Sequence, residues 1–220
     1  MHLPALFDFL RELARHNERD WFLTHKTTYD RLRADFEADV AFWLHGLSET
    51  DPALAGLLPR KCLFRIYRDV RFSKNKDPYK TNFSAFFAPA SRQPGQEQPG
   101  YYVQVGPHQT LIGGGLFAPD KEQLARIRQE IDYDAPRLRG LLGAPAFRQW
   151  YPDGLNGERL KRVPAGYEAT HPEAELLKVK SFIASRTWAD ETVLGLPDWR
   201  EQVLAGLRAL HPLVGFLREV

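Results

Sequence analysis

One stretch constrains the fold more than any other: Arg60 to Ala88, RKCLFRIYRDVRFSKNKDPYKTNFSAFFA. Two runs of apolar and aromatic residues bracket a tip of turn formers and lysines, Ser73 to Lys80, the pattern of two strands joined by a loop. Cys62 to Val70 reads as the first strand, with Phe64 and Ile66 on one face and Leu63 and Tyr67 on the other. Thr81 to Ala88 reads as its partner, where Phe83, Ala85 and Phe87 alternate against Asn82 and Ser84. Charge sets the stretch apart as well. Arg60, Lys61, Arg65, Arg68, Arg71, Lys74, Lys76 and Lys80 are opposed only by Asp69 and Asp77, a local net of +6. The whole chain carries +2, so everything outside the stretch sums to −4. Positive charge concentrated in this way points to an anionic partner.

The rest of the chain supplies helices and two more strands. Leu6, Phe9, Leu10 and Leu13 recur at helical spacing up to about Arg15. Asn17 has the character of an N-cap, with Glu18 and Asp20 in the first turn that follows. A long amphipathic helix then runs to about Gly46, with a possible break at Thr27-Thr28. Tyr101 to Val105 and Leu111 to Phe117 are further strands, so four strands with short connections predict an antiparallel meander. Between them, Pro89 to Gly100 has the composition of a mobile surface loop. Pro119 fits the first position of a helix reaching about Asp132, and Ala135 to Leu142 is a shorter helical segment. Phe182 to Trp188 is a possible strand, and Trp199 to Leu217 a last helix bent or ended at Pro212. The fold class expected is α+β. A central, mainly antiparallel sheet at about 62–117 is flanked by N-terminal helices at about 4–47 and a helical C-terminal part at about 119–218. Together they form one domain over 1–220.

Composition excludes more than it identifies. A single cysteine, Cys62, forbids an internal disulfide and any multi-cysteine zinc site, which fits a reducing compartment. Apolar runs stay short of the roughly 18 residues a membrane span needs, and the N-terminus has no signal-peptide pattern. The expectation is a soluble, cytoplasmic protein without a membrane partner. Seven scattered histidines have no spacing that would present a pair to a metal. The phosphate loop, the nucleophile elbow and the metalloprotease helix motif are all absent, and neither cofactor nor metal is expected. His171, beside Pro172 and near acids, is a candidate for a pH-sensitive role. Gly113-Gly114-Gly115 suits either a strand bulge or a place where a ligand or another segment lies on bare backbone.

Candidate site residues follow from the basic clusters. Arg65 and Arg71 can share a strand face with Arg68 opposite, and arginine forks suit phosphate or carboxylate. Asp69 is read as orienting one of these arginines, with a weaker claim to catalysis. Tyr79 and Lys80 lead straight into a strand and can be fixed by it. Lys161-Arg162, and Lys178 with Lys180, form two further clusters.

The string RIYRDVRFSKNKDPYKTNF, then Tyr101-Tyr102, GGGLFAP, Ile127-Arg128 with Ile131, LKRVPAGY, the later HP and LLK, and the N-terminal NERDWF together resemble the domain of unknown function 2461 family. The likeness covers about residues 4 to 217. It implies one soluble domain and no particular activity, because that family has none established. Its pattern marks Arg68, Asp69, Arg71, Phe72, Pro78, Tyr79, Lys80, Tyr102, Gly114, Gly115, Lys161, Pro164, Gly166 and Lys178, and suggests that the three basic clusters belong to one signature.

The expected site is therefore a cationic pocket of Arg68, Arg71, Lys80, Lys161 and Lys178, with Tyr102 or Tyr79 as a polar aromatic wall and Gly114 and Gly115 alongside. Its expected partner is a small phosphorylated or carboxylated ligand, with any enzymatic step open. The rival is a nucleic-acid module whose hairpin 60–80 lies along phosphates. A third expectation is a partner-binding scaffold using the loop 89–100. Oligomeric state is not legible.

Overall fold

The structure, a computed structural model, describes residues 1–89 and 97–220. Most of the loop expected over Pro89 to Gly100, and with it the scaffold expectation, lies outside those residues. The fold is α+β. A four-stranded antiparallel sheet has the order β1-β2-β3-β4, formed by Phe83–Phe87, Gly100–Val105, Thr110–Leu116 and Phe182–Trp188. The fourth strand is β4, beside β3, and not Cys62 to Val70, which was expected beside β1.

The chain divides into two compact units. The first comprises Met1–Phe87, Tyr102–Ile112 and Thr187–Leu204; the second comprises Ala88–Tyr101, Gly113–Arg186 and Ala205–Val220. In the first unit, α1 (Leu3–Arg15) and α3 (Lys26–Ser48) pack together, and α3 lies against β1. The short helix α2 (Arg19–Thr24) separates them, so the break in the long N-terminal helix falls at His25, slightly before Thr27. Leu32, Phe36, Val40, Trp43 and Leu47 recur every three or four residues on α3 and are all buried. Two short helices are α4 (Pro59–Cys62) in this unit and α6 (Pro145–Trp150) in the other. Trp199 packs edge-on against both Trp43 and Trp188, at 6.2 and 6.0 Å between ring centres.

In the second unit, α5 (Lys121–Gly143) begins two residues later than Pro119 would suggest. Asp120 caps it, accepting from Gln123 N at 2.8 Å while Gln123 Oε1 accepts from Asp120 N at 3.0 Å. The two helical segments expected, to about Asp132 and over Ala135 to Leu142, are both present and meet across a kink at Asp134, whose backbone is non-helical two residues before Pro136. Next come α7 (Ala174–Leu177), α8 (Asp190–Leu194) of the first unit, and α9 (Trp199–Ala209). The last helix, α10 (His211–Glu219), starts afresh with Pro212 in its first turn and packs on α5. Among the described residues no helix is long and apolar enough to cross a membrane.

The segment Leu63 to Asn82 departs most from expectation. It doubles back as a hairpin but is held by isolated bridges, Leu63 opposite Ala85 and Tyr67 opposite Tyr79, rather than as a regular strand. Arg68 N donates to Pro78 O at 2.8 Å and Lys80 N to Ile66 O at 2.7 Å. The ladder fails to extend because Pro78 has no N–H to give. The outward N–H and C=O of Tyr79 are taken by a side chain instead. Tyr79 N donates to Asn17 Oδ1 and Asn17 Nδ2 donates to Tyr79 O, both at 3.0 Å. Asn17 is therefore not the cap of α2, whose cap position is Glu18 with no side-chain bond. Its carboxamide stands in for a neighbouring strand.

Asn17→Ala is expected to cost about 1–3 kcal/mol in urea unfolding, since it removes two bonds and strands both groups of a buried residue. A loss under about 0.5 kcal/mol would show that water replaces the carboxamide at no cost.

Candidate functional site

Strand alternation in the first unit decides which side chains share a face. On β1, Phe83, Ala85 and Phe87 are buried in the core, so Ser84 and the preceding Asn82 lie on the other face. On β2, Tyr101, Val103 and Val105 are buried, which sets Tyr102 and Gln104 opposite to them. These four polar residues line a cavity of about 370 Å³ together with Phe64, Arg68, Asp69 and Lys80 from the hairpin segment. The whole lining belongs to the first unit.

The floor is a connected polar network. Tyr102 Oη donates to Gln104 Oε1 at 2.8 Å, and Gln104 Nε2 donates to Gln109 O at 2.8 Å. Asn82 Nδ2 donates to Gln109 Oε1 at 3.0 Å, while Gln109 Nε2 donates to Thr81 O at 3.0 Å. Burial pushes the Tyr102 hydroxyl above its ordinary pKa, partly offset by a hydrogen bond with Ser84. Such interlocking fixes amide and hydroxyl positions, which a selective hydrogen-bonding surface requires.

The charged residues divide sharply. Lys80 is half-buried, with Nζ 5.0 Å from the centre of the Phe64 ring. Burial and then the Arg65 charge hold its ammonium below the ordinary lysine pKa. Arg68 is braced by the loop, donating from Nη1 to Asp77 O at 3.1 Å and from Nη2 to Ser73 Oγ at 3.3 Å. Asp69 is committed elsewhere. Its Oδ1 accepts from Arg71 Nε at 3.0 Å and its Oδ2 from Arg71 Nη2 at 2.7 Å. These bonds lower its carboxyl from 3.8 to about 2. A carboxylate that acidic is a weak general base at neutral pH, and its role is to orient Arg71.

The remaining candidates are not among the residues that line the cavity. Arg71 is exposed beside Phe72, which is 96% exposed. Tyr79 is buried with its ring stacked on Phe22 at 4.1 Å. Gly114, Gly115, Lys161 and Lys178 belong to the second unit. There Lys178 Nζ pairs with Glu175 Oε1 at 2.6 Å, and Lys161 is exposed. The glycines serve strand packing. A Cβ on Gly114 would lie 2.8 Å from Gly100 O, and Gly115, at φ +121°, turns its bare backbone against Phe182 O of β4. His171 Nε2 pairs with Asp132 Oδ1 at 2.9 Å, and its Nδ1 accepts from Glu173 N. Among the described residues no group of three or more His, Cys, Asp or Glu side chains could hold a metal.

Charge alone passed over Phe64, Asn82, Ser84 and Gln104. The signal that could have found them is in the sequence: polar residues alternate with apolar ones on both β1 and β2, marking a polar face that a hairpin must cover.

A family model described as Conserved hypothetical protein (DUF2461) matches residues 5–216, and the chain belongs to that family. No curated protein and no solved structure matches the chain.

The Asp69–Arg71 clamp is testable by pH. Because its folded-state pKa is depressed, any stability Asp69 lends is present above about pH 4 and lost as pH falls through about 2. NMR titration of the Asp69 carboxyl is expected to show a midpoint near 2. In Arg71→Ala the midpoint should return to the ordinary 3.8, with little loss of melting temperature, since exposed ion pairs contribute little.

Proposed function

We propose that this member of the DUF2461 family binds a small phosphorylated or carboxylated ligand in the open cavity lined by residues of the 64–80 hairpin and by β1 and β2. What carries this reading is the balance of charge around a concave polar surface. Two cations, Lys80 and Arg68, line the cavity, and its only acid is already neutralised by Arg71. An anion entering there meets a guanidinium, an ammonium, and the hydroxyl and amide groups of Tyr102, Ser84, Asn82 and Gln104. Phe64 supplies the apolar wall. A volume of about 370 Å³ is within the range of small-molecule sites. A cytoplasmic setting goes with this ligand class.

The nucleic-acid reading has one observation in its favour. Phe72 and Tyr67, 96% and 52% exposed, stand among Arg65, Arg71, Lys74 and Lys76, as a base-stacking surface would need. Salt separates the two. A nucleic acid releases counterions, so log affinity falls by about 0.7–0.9 per phosphate neutralised for each unit of log salt. A ligand held by two cations in a partly enclosed cavity responds far less.

Calorimetry with inorganic phosphate and a panel of sugar phosphates is expected to find binding with shallow salt dependence. Lys80→Met or Arg68→Ala should weaken it at least about tenfold, the loss of one charge-assisted contact. Sub-micromolar oligonucleotide binding that collapses at physiological salt and disappears in Arg68→Ala would transfer the function to the hairpin surface.

A further inference from the structure

We infer that Lys80 is a nucleophilic amine, and that the ligand class of the cavity is an aldehyde or ketone carrying a carboxylate or phosphate, which Lys80 captures as an imine. This rests on the anion-binding reading of the same cavity. The observations that add to it are geometric. Lys80 Nζ lies over the Phe64 ring, with Arg65 as the charged neighbour acting on it. It pairs with no carboxylate of the described residues; the acids near it in sequence are Asp69, bound by Arg71, and Asp77, bonded to Asn75. A partly buried lysine beside a second cation, without an acid to hold its proton, has its neutral amine favoured, against the pull of the Phe64 ring face on the ammonium. Exposed lysines of the same loop differ: Lys76 Nζ donates to Val70 O at 3.0 Å and stays in solvent.

Position supports the same role. Bridge geometry at Tyr67 and Tyr79 sends the Tyr79 ring into the core, so the next side chain emerges on the cavity side. Lys80 therefore reaches the cavity from a fixed backbone, since its own N–H donates to Ile66 O. Arg68, lining the same cavity, would hold the ligand's anionic group while Nζ addresses its carbonyl carbon. In that step the nitrogen lone pair forms the C–N bond and one amine proton passes to the carbonyl oxygen. Loss of water, carrying that oxygen and the second amine proton, leaves a C=N bond. No oxidation or reduction is involved, and hydrolysis reverses the step.

The test uses the full chain and glyoxylate, an aldehyde bearing a carboxylate, with cyanoborohydride to reduce any imine to a stable secondary amine. Peptide mass mapping then reads the rate at each lysine, with exposed Lys61 and Lys74 as internal standards. Lys80 is expected to react at least about tenfold faster than either, with its rate rising at lower pH than theirs, and inorganic phosphate should slow Lys80 alone. Equal rates at Lys80, Lys61 and Lys74 would overturn the inference. Phosphate binding measured beside equal rates would leave the anion site standing and remove only the nucleophile. Absence of both phosphate binding and selective labelling would sink the two together.

Discussion

The paired hydrogen bonds between Asn17 and the backbone of Tyr79 hold the first unit's polar site in register. A single carboxamide satisfies the N–H and C=O that a missing strand would otherwise take. The stacked ring of Phe22 pins the same residue from its side-chain end. With Tyr79 fixed inward, period-two geometry leaves Lys80 facing the opposite way, against Phe64 and above the polar face of β1 and β2. The cation's position is thus a consequence of packing one residue earlier. An edge built from isolated bridges would be free to slip if it depended on its ladder alone.

Electrostatics then sort the basic residues into two kinds. Arg71 and Lys178 each have a nearby acid in solvent, where a pair contributes little to stability and is screened by salt. Lys80 is half-buried with a cation for a neighbour, and its charged form is disfavoured. Holding it there costs folding free energy, which the surrounding core must offset. Groups kept in that condition are more informative about function than the more numerous exposed cations.

In the second unit the same chemistry-bearing vocabulary has a structural use. The Gly113–Gly115 run lets β3 approach its neighbours where any Cβ would collide with a carbonyl. Bare backbone was legible as a close approach. That another strand, rather than a ligand, occupies the space follows only from where β4 lies.

Much of the architecture was written in local sequence. Helical spacing marked α1, α3 and α9, and alternation marked β1, because both signals depend on neighbours a few residues apart. The concentration of charge in one hairpin was equally plain, and so was Asp69 as the orienter of an arginine two residues away. Longer-range facts were not. Asn17 looks like a helix cap because its short polar side chain suits one, yet a partner 62 residues on competes for the same amide. Cys62 to Val70 has the composition of a strand, but Pro78 removes the donor that would extend its ladder. Of the lysines and arginines that the sequence offered as equals, tertiary structure alone distinguished Lys80 and Arg68, which line a cavity, from the rest. The sequence determined which residues carry charge, which alternate and which cations have an acid close by in the chain; folding decided which cations line a cavity, because that depends on distances between segments that no spacing along the chain encodes.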